Sequence, residues 1–174
     1  GAALIVCNHV SFVDPVILMA VSPRPIRFVM DHHIFRTPLI SFIFRHTRAI
    51  PIAPAREDPR MMEAAFADVS AALREGELVG IFPEGRITDT GDLYPFRPGV
   101  TRILERDPVL VLPLALQGLW GSFFSRKDGP AMSKPFRRGL FARIAVVGAP
   151  PVPPAEATPE NLQEIVARLR GDWK

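Results

Sequence analysis

"AALIVCNHVSFVDP" (residues 2–15) runs six apolar residues into a polar turn and then into Asp14-Pro15. An apolar run this short, stopped by polar residues, is a strand buried on both faces, and an acid followed by proline is a helix start signal. Strand, turn and helix within fourteen residues make the first unit of an α/β fold. The pattern continues outward, with apolar runs at 26–30, 49–52, 78–82, 109–116 and 143–147 and helical stretches between them. Asp58-Pro59 and Thr158-Pro159 repeat the start signal, an N-cap residue before proline at the first helical position. Met62, Phe66, Val69 and Leu73 form one helical stripe ended by Gly76; Leu162, Ile165, Val166 and Leu169 form another ended by Gly171. Both stripes read as core faces. Doubly buried strands alternating with helices predict a single α/β domain with a mixed, mostly parallel sheet flanked by helices. Its active site is expected at the C-terminal ends of the strands, where such sheets collect ligands.

The 174 residues, 48% of them hydrophobic, suit one domain spanning 1–174 with room for a core. Gly1 stands directly before a buried strand, so the segment reads as cut from a longer chain whose amino-terminal context is missing. A single cysteine excludes a disulfide framework and any Cys-based zinc cluster. No apolar run reaches the ~18 residues that span a bilayer. The net charge of +3 is modest, but "SRKDGPAMSKPFRRGLFAR" (residues 125–143) concentrates six cations against Asp128, a patch suited to an anionic surface. Just ahead of it, Trp120, Phe123 and Phe124 make an aromatic and basic pairing fit for a lipid headgroup layer, or else belong to the core. The sequence motifs of nucleotide, dinucleotide and zinc sites are absent, so no metal ligand set is assigned and no nucleic acid is expected as a partner.

His9 and Asp14 are the first candidates for chemistry. A histidine accepts a proton from a hydroxyl near neutral pH and works best when a carboxylate fixes its tautomer. Five positions apart on one helix the two would diverge, so the pair requires His9 in the turn and Asp14 at the helix start, the arrangement that the Asp14-Pro15 cap signal supplies. Spacing alone leaves a plainer reading open, in which Asp14 caps the helix and His9 bonds a loop carbonyl. His32, His33 and His46 lack such partners in the sequence and read as structural or surface residues. Cys7 ends an apolar strand and reads as a buried thiol; Ser11 has no G-x-S-x-G elbow around it.

"FPEGRITDTG" (residues 82–91) is the second corner. Gly85 lets backbone approach a ligand, while Glu84 and Arg86 offer an acceptor and a planar donor fork. Arg97 in "YPFRPGV" (residues 94–100) precedes a helix expected near Gly99, whose N–H groups also favour an anion. If the strands ending at Cys7 and Phe82 are neighbours, both corners open on one crevice.

"NHVSFVDP" (8–15), "AIPIAP" (49–54), "FPEGRIT" (82–88) with "PFRPG" (95–99), and "VLPLALQG" (111–118) resemble, in order and spacing, the four sequence blocks of PlsC-like glycerolipid acyltransferases. The likeness covers most of the chain. With "FFSR" (123–126), the first and third blocks are most similar to the acyltransferase domains of 2-acylglycerophosphoethanolamine acyltransferases, some of which are fused to transporter domains. The resemblance implies that His9 is the general base, Asp14 its orienting partner, and Glu84, Gly85, Arg86 and Arg97 the acceptor-binding groups, with Pro113 shaping the acyl side. Two departures matter: the commoner lysophosphatidate enzymes place the arginine one residue after the position of Arg86, and their second block carries an arginine or aspartate where this chain has Ala53 and Pro54. They favour acylation of a headgroup-bearing lysophospholipid.

The implied reaction moves a fatty acyl group from acyl-CoA or an acyl carrier protein to the free glycerol hydroxyl of a lysophospholipid, without a covalent intermediate. No cofactor is implied, because the thioester is already activated. The implied location is the cytoplasmic face of a membrane, held peripherally on its anionic surface. Two other classes share the same residues: a catalytically silent lipid-binding module, and a thioesterase in which water replaces the lipid hydroxyl.

Overall fold

The computed structural model describes residues 1–36, 42, 45–122, 125–127 and 143–173. Along the chain lie β1 (Ala3–Cys7), α1 (Asp14–Val21), β2 (Ile26–Asp31), a 3₁₀ turn (His32–Arg36), β3 (Ile50–Ile52), α2 (Pro59–Arg74), β4 (Leu78–Ile81), α3 (Gly99–Arg106), β5 (Leu110–Gln117), β6 (Ala145–Gly148) and α4 (Pro159–Arg170). The strands form one six-stranded sheet in the order β3-β2-β4-β1-β5-β6. Every pairing is parallel except β5 with β6 at the edge, which is antiparallel. The expected mixed, mostly parallel sheet flanked by helices is therefore the fold, with all six apolar runs as strands.

β1 sits between β4 and β5, and all five of its residues are buried. Successive side chains alternate between the two faces of the sheet. Leu4 and Val6 join the core beneath α2, α3 and α4, with Phe66, Val69, Val100 and Leu162, while Ala3, Ile5 and Cys7 join the opposite core beneath α1 with Leu18 and Phe28. Phe66, Val69 and Leu73 bury the predicted stripe of α2, each stabilising the fold by about 1.5–3 kcal/mol. Asp58 and Thr158 cap as expected, accepting the N–H groups of Met61 and Asn161. Asp14 does not: it is the first helical residue of α1, preceded by Val13 at the cap position, and its side chain makes no cap bond. The carboxylate turns back into the loop instead.

Because β1 and β4 are adjacent and parallel, the loops leaving Cys7 and Ile81 emerge side by side at the same end of the sheet. Pro113 lies buried within β5 and opposite Val6, and it does not contribute to the wall of the cavity at that end.

Candidate active site

His9 is held on three sides. Its N–H donates to Glu84 Oε1 at 2.7 Å and its carbonyl accepts the N–H of Thr88 at 2.9 Å, so both backbone groups are tied to the loop after β4. The ring stacks on Phe82, centroids 4.2 Å apart and planes 15° from parallel, and Phe82 stacks in turn on Phe28 at 5.5 Å. Gly80 makes this column possible, since a Cβ there would come within 2.3 Å of the Phe28 ring. Nδ1 lies 2.9 Å from Asp14 Oδ2. A carboxylate only accepts, so in the neutral imidazole Nδ1 carries the proton and Nε2 presents a lone pair. No described residue bonds Nε2, and His9 lines the large cavity at this end of the sheet.

Asp14 is fully buried, and its Oδ2 accepts three bonds, from His9 Nδ1, from Val10 N–H at 2.7 Å and from Ser11 N–H at 2.9 Å. Oδ1 has no hydrogen-bond partner among the described residues. One oxygen both shapes the loop and orients the imidazole. The loss of a helix cap is thus no part of what an Asp14 substitution does.

Glu84 is placed differently from the expected acceptor-binding role. It is 2% exposed, is absent from the cavity wall, and spends both oxygens on backbone, Oε1 on His9 N–H and Oε2 on Tyr94 N–H at 2.8 Å. It clamps the histidine loop to the segment before α3. Burial pushes its carboxyl above the ordinary value, opposed by those two N–H donors. A carboxyl raised on folding binds more protons folded than unfolded in the interval above the ordinary value. Its stabilising contribution is therefore full below the ordinary carboxylate range and is lost as pH rises through the folded value. Denaturation midpoints measured across that interval should fall more steeply with pH in the native chain than in Glu84→Gln; parallel profiles would contradict this assignment.

Gly85 and Arg86 are exposed on the cavity wall, with Arg97 beside them. Gly85 has φ +68°, and a Cβ there would stand 2.9 Å from the Arg97 guanidinium, so this glycine is what lets Arg97 lie against the turn. Arg86 stacks over the Tyr94 ring at 3.6 Å. Arg126 reaches the same wall, and among the described residues none of the three guanidinium groups is paired with a carboxylate. The cavity holds about 1480 Å³, beyond the roughly 300–1,000 Å³ of ordinary small-molecule sites. The rest of its wall is mostly apolar, with Met62, Phe66 and Val69 of α2, Ile81 of β4 and Ile103 of α3, and also carries Asp31, His33 and Asp89. The stripe read as a core face is also a cavity wall.

A sequence model described as Acyltransferase matches residues 1–117. The chain belongs to the acyltransferase family. It is 29% identical over 116 residues to the chloroplastic 1-acyl-sn-glycerol-3-phosphate acyltransferase LPAT1 of Arabidopsis thaliana, covering 67% of this chain and 32% of that one. Against the 1-acyl-sn-glycerol-3-phosphate acyltransferase of Bacillus subtilis it is 28% identical over 116 residues, 66% of this chain and 55% of the other. An N-acylphosphatidylethanolamine synthase of Arabidopsis thaliana is 30% identical over 131 residues, 68% and 45% of the two chains. This acyltransferase-family chain thus spans about a third to just over half the length of these relatives. The crystal structure of the 1-acyl-sn-glycerophosphate acyltransferase PlsC from Thermotoga maritima shares its fold, with a TM-score of 0.67 at 19% identity over 97% of this chain and 63% of that one.

Among the other residues of this family member, some match the sequence reading and some do not. Asn8, to which the sequence alone gives no role, is buried and bonds both backbone groups of Leu116, locking the end of β1 to β5 just before His9. An asparagine ending a buried strand, next to the candidate base, was the available signal. Cys7 is fully buried, and burial, reinforced by the nearby Asp14 charge, pushes its thiol well above the ordinary value, which fits a packing role. Ser11 is buried and accepts the Val13 N–H. Trp120 packs against Gly91 and the core under α1, so of the two readings the core one holds for it; Phe123, Phe124 and residues 128–142 of the basic segment lie outside the described residues. His46 is exposed, as expected, but His32 and His33 do have carboxylate partners. Among the described residues no helix is long and apolar enough to cross a membrane.

Proposed function

We propose that this domain transfers a fatty acyl group from a thioester donor, acyl-CoA or an acylated carrier protein, to the free hydroxyl of a lysophospholipid. The observation that carries the reading is the setting of His9: Nδ1 pinned by a buried carboxylate, Nε2 left unbonded by the described residues, and the ring on the wall of a mostly apolar cavity that carries three arginines. The lone pair on Nε2 takes the acceptor hydroxyl proton as its oxygen attacks the thioester carbonyl. The tetrahedral adduct collapses, the carbon–sulfur bond breaks, and the departing thiolate takes that proton from the imidazolium. Asp14 stabilises the transient cation. No metal or other cofactor enters these steps. Positioning of the two substrates supplies much of the acceleration.

Arg86, Arg97 and Arg126 are the groups for the acceptor phosphate, since a guanidinium fork matches phosphate oxygens. Glu84 acts through His9 as a positioning residue. The apolar wall takes the acyl chain. The arginine placement in "FPEGRIT" and the missing charge at Ala53 and Pro54 favour an acceptor with a headgroup beyond its phosphate, such as an ethanolamine. The setting proposed is the cytoplasmic face of a membrane, with exposed Lys127 and Arg143 adding to the charge that faces it.

Gly85→Ala should displace Arg97 and strain a positive φ, at about 1–3 kcal/mol. Steady-state kinetics should show an acceptor KM raised about tenfold, for about 1.4 kcal/mol, with the donor KM unchanged; an equal rise in both would remove Arg97 from the acceptor side. The reading itself is tested by a panel of lysolipids incubated with labelled acyl-CoA and acyl carrier protein, with products resolved by mass. An acylated phospholipid is expected. Thioester loss without dependence on any lysolipid points to the thioesterase, and lysolipid binding without turnover to the silent module.

A further inference from the structure

A second cluster sits where β2 ends, apart from His9. Asp31 closes the strand and its Oδ1 accepts the N–H of His33 at 2.8 Å, which folds the chain back so that the rings of His32 and His33 lie with centroids 3.9 Å apart. Asp31 Oδ1 is 2.8 Å from His33 Nδ1 and 3.7 Å from His32 Nδ1. On the other edge of both rings stands Glu57, from the turn before α2, with Oε1 3.2 Å from His32 Nε2 and 3.4 Å from His33 Nε2. One carboxylate thus faces both Nδ1 atoms and another faces both Nε2 atoms.

Three features select among the uses of such a cluster. One ligand atom from each of Asp31, His32 and His33 lies within 4.8 Å of the other two. Bonds of ~2.0–2.1 Å to a tetrahedral ion place neighbouring ligand atoms about 3.3 Å apart, a spacing bracketed by the 2.8 and 3.7 Å separations. Among the described residues His32 Nδ1 is buried without a hydrogen-bond partner, which is costly for an imidazole nitrogen unless something binds there. Finally, a histidine that ligates through one nitrogen usually donates the other N–H to a carboxylate, the position Glu57 occupies for both rings.

We infer that Asp31, His32 and His33 form a site for a divalent transition metal ion, with Glu57 as the acceptor that orients both imidazoles. Two imidazole nitrogens with one carboxylate suit zinc and its neighbours over magnesium or calcium, which prefer all-oxygen sets. Asp31 and His33 belong to the wall of the cavity that holds His9, so the ion sits on that wall. The site stands on residues outside the proposed acyl-transfer chemistry and needs none of its steps.

Calorimetric titration of the full chain with zinc chloride tests it, with cobalt(II) absorption reporting the ligand field. One ion per chain is expected. His33→Ala and His32→Ala should each weaken binding by at least tenfold, and Glu57→Gln by about 10- to 100-fold. His33 is half exposed, so its replacement leaves the fold intact, and circular dichroism checks each variant. His46→Ala should titrate like the native chain. Absence of a one-ion isotherm, an isotherm that survives the His32→Ala/His33→Ala double variant, or indifference to Glu57→Gln would each overturn the assignment.

Discussion

Replacing His9 with alanine is expected to lower acyl transfer by about 10²- to 10⁴-fold, the usual worth of a positioned general base, while the circular dichroism spectrum stays native. The structure separates the two readouts. The N–H and carbonyl of residue 9 keep their bonds to Glu84 and Thr88 whatever the side chain, and Asp14 Oδ2 keeps the N–H groups of Val10 and Ser11. What disappears is the ring on Phe82 and the one nitrogen that faces the cavity. Initial rates with saturating lysolipid and thioester make the measurement. A well-folded variant working at close to the native rate would take the proton transfer away from His9.

The second large effect belongs to Asp14, where two substitutions should part company. Asn keeps an oxygen for the three donors that converge on Oδ2 but removes the charge that stabilises the imidazolium. Asp14→Asn should therefore fold normally and lose activity by up to about 10⁴-fold, the scale seen when the carboxylate behind a catalytic histidine is neutralised in a serine-protease triad. Asp14→Ala leaves the N–H groups of Val10 and Ser11 buried without an acceptor, at about 1–3 kcal/mol each, so it should also lower the denaturation midpoint. Parallel rate and urea-denaturation measurements distinguish them. Equal midpoints for the two variants would show that the loop does not depend on that oxygen.

Much of this was legible in the residues. The six strands announce themselves as short apolar runs, and "NHVSFVDP" and "FPEGRIT" each follow one, so a shared crevice required only that β1 and β4 be neighbours. That neighbourhood is set by long-range pairing, which no local pattern encodes. Glu84 shows the limit most sharply. A carboxylate in a glycine turn looks the same in sequence whether it meets a ligand or a backbone N–H, and only the approach of His9 and Tyr94 decides it. Asp14 misled in the opposite way: its proline neighbour correctly marked the helix start, while the side chain answered to donors upstream. His32 and His33 take one carboxylate partner, Asp31, from beside them in the sequence, and a second, Glu57, from two dozen residues on, where a sequence window has no reach.

The aromatic column rising from Gly80 through Phe28 and Phe82 to His9 makes the tilt of the imidazole depend on packing deep in the sheet. A single methyl added in the middle of β4 forces Phe28 sideways, and the displacement travels up the stack to the ring that handles the proton. Directed evolution for altered turnover should therefore return substitutions at position 80, which is not on the cavity wall, and libraries confined to that wall will overlook them.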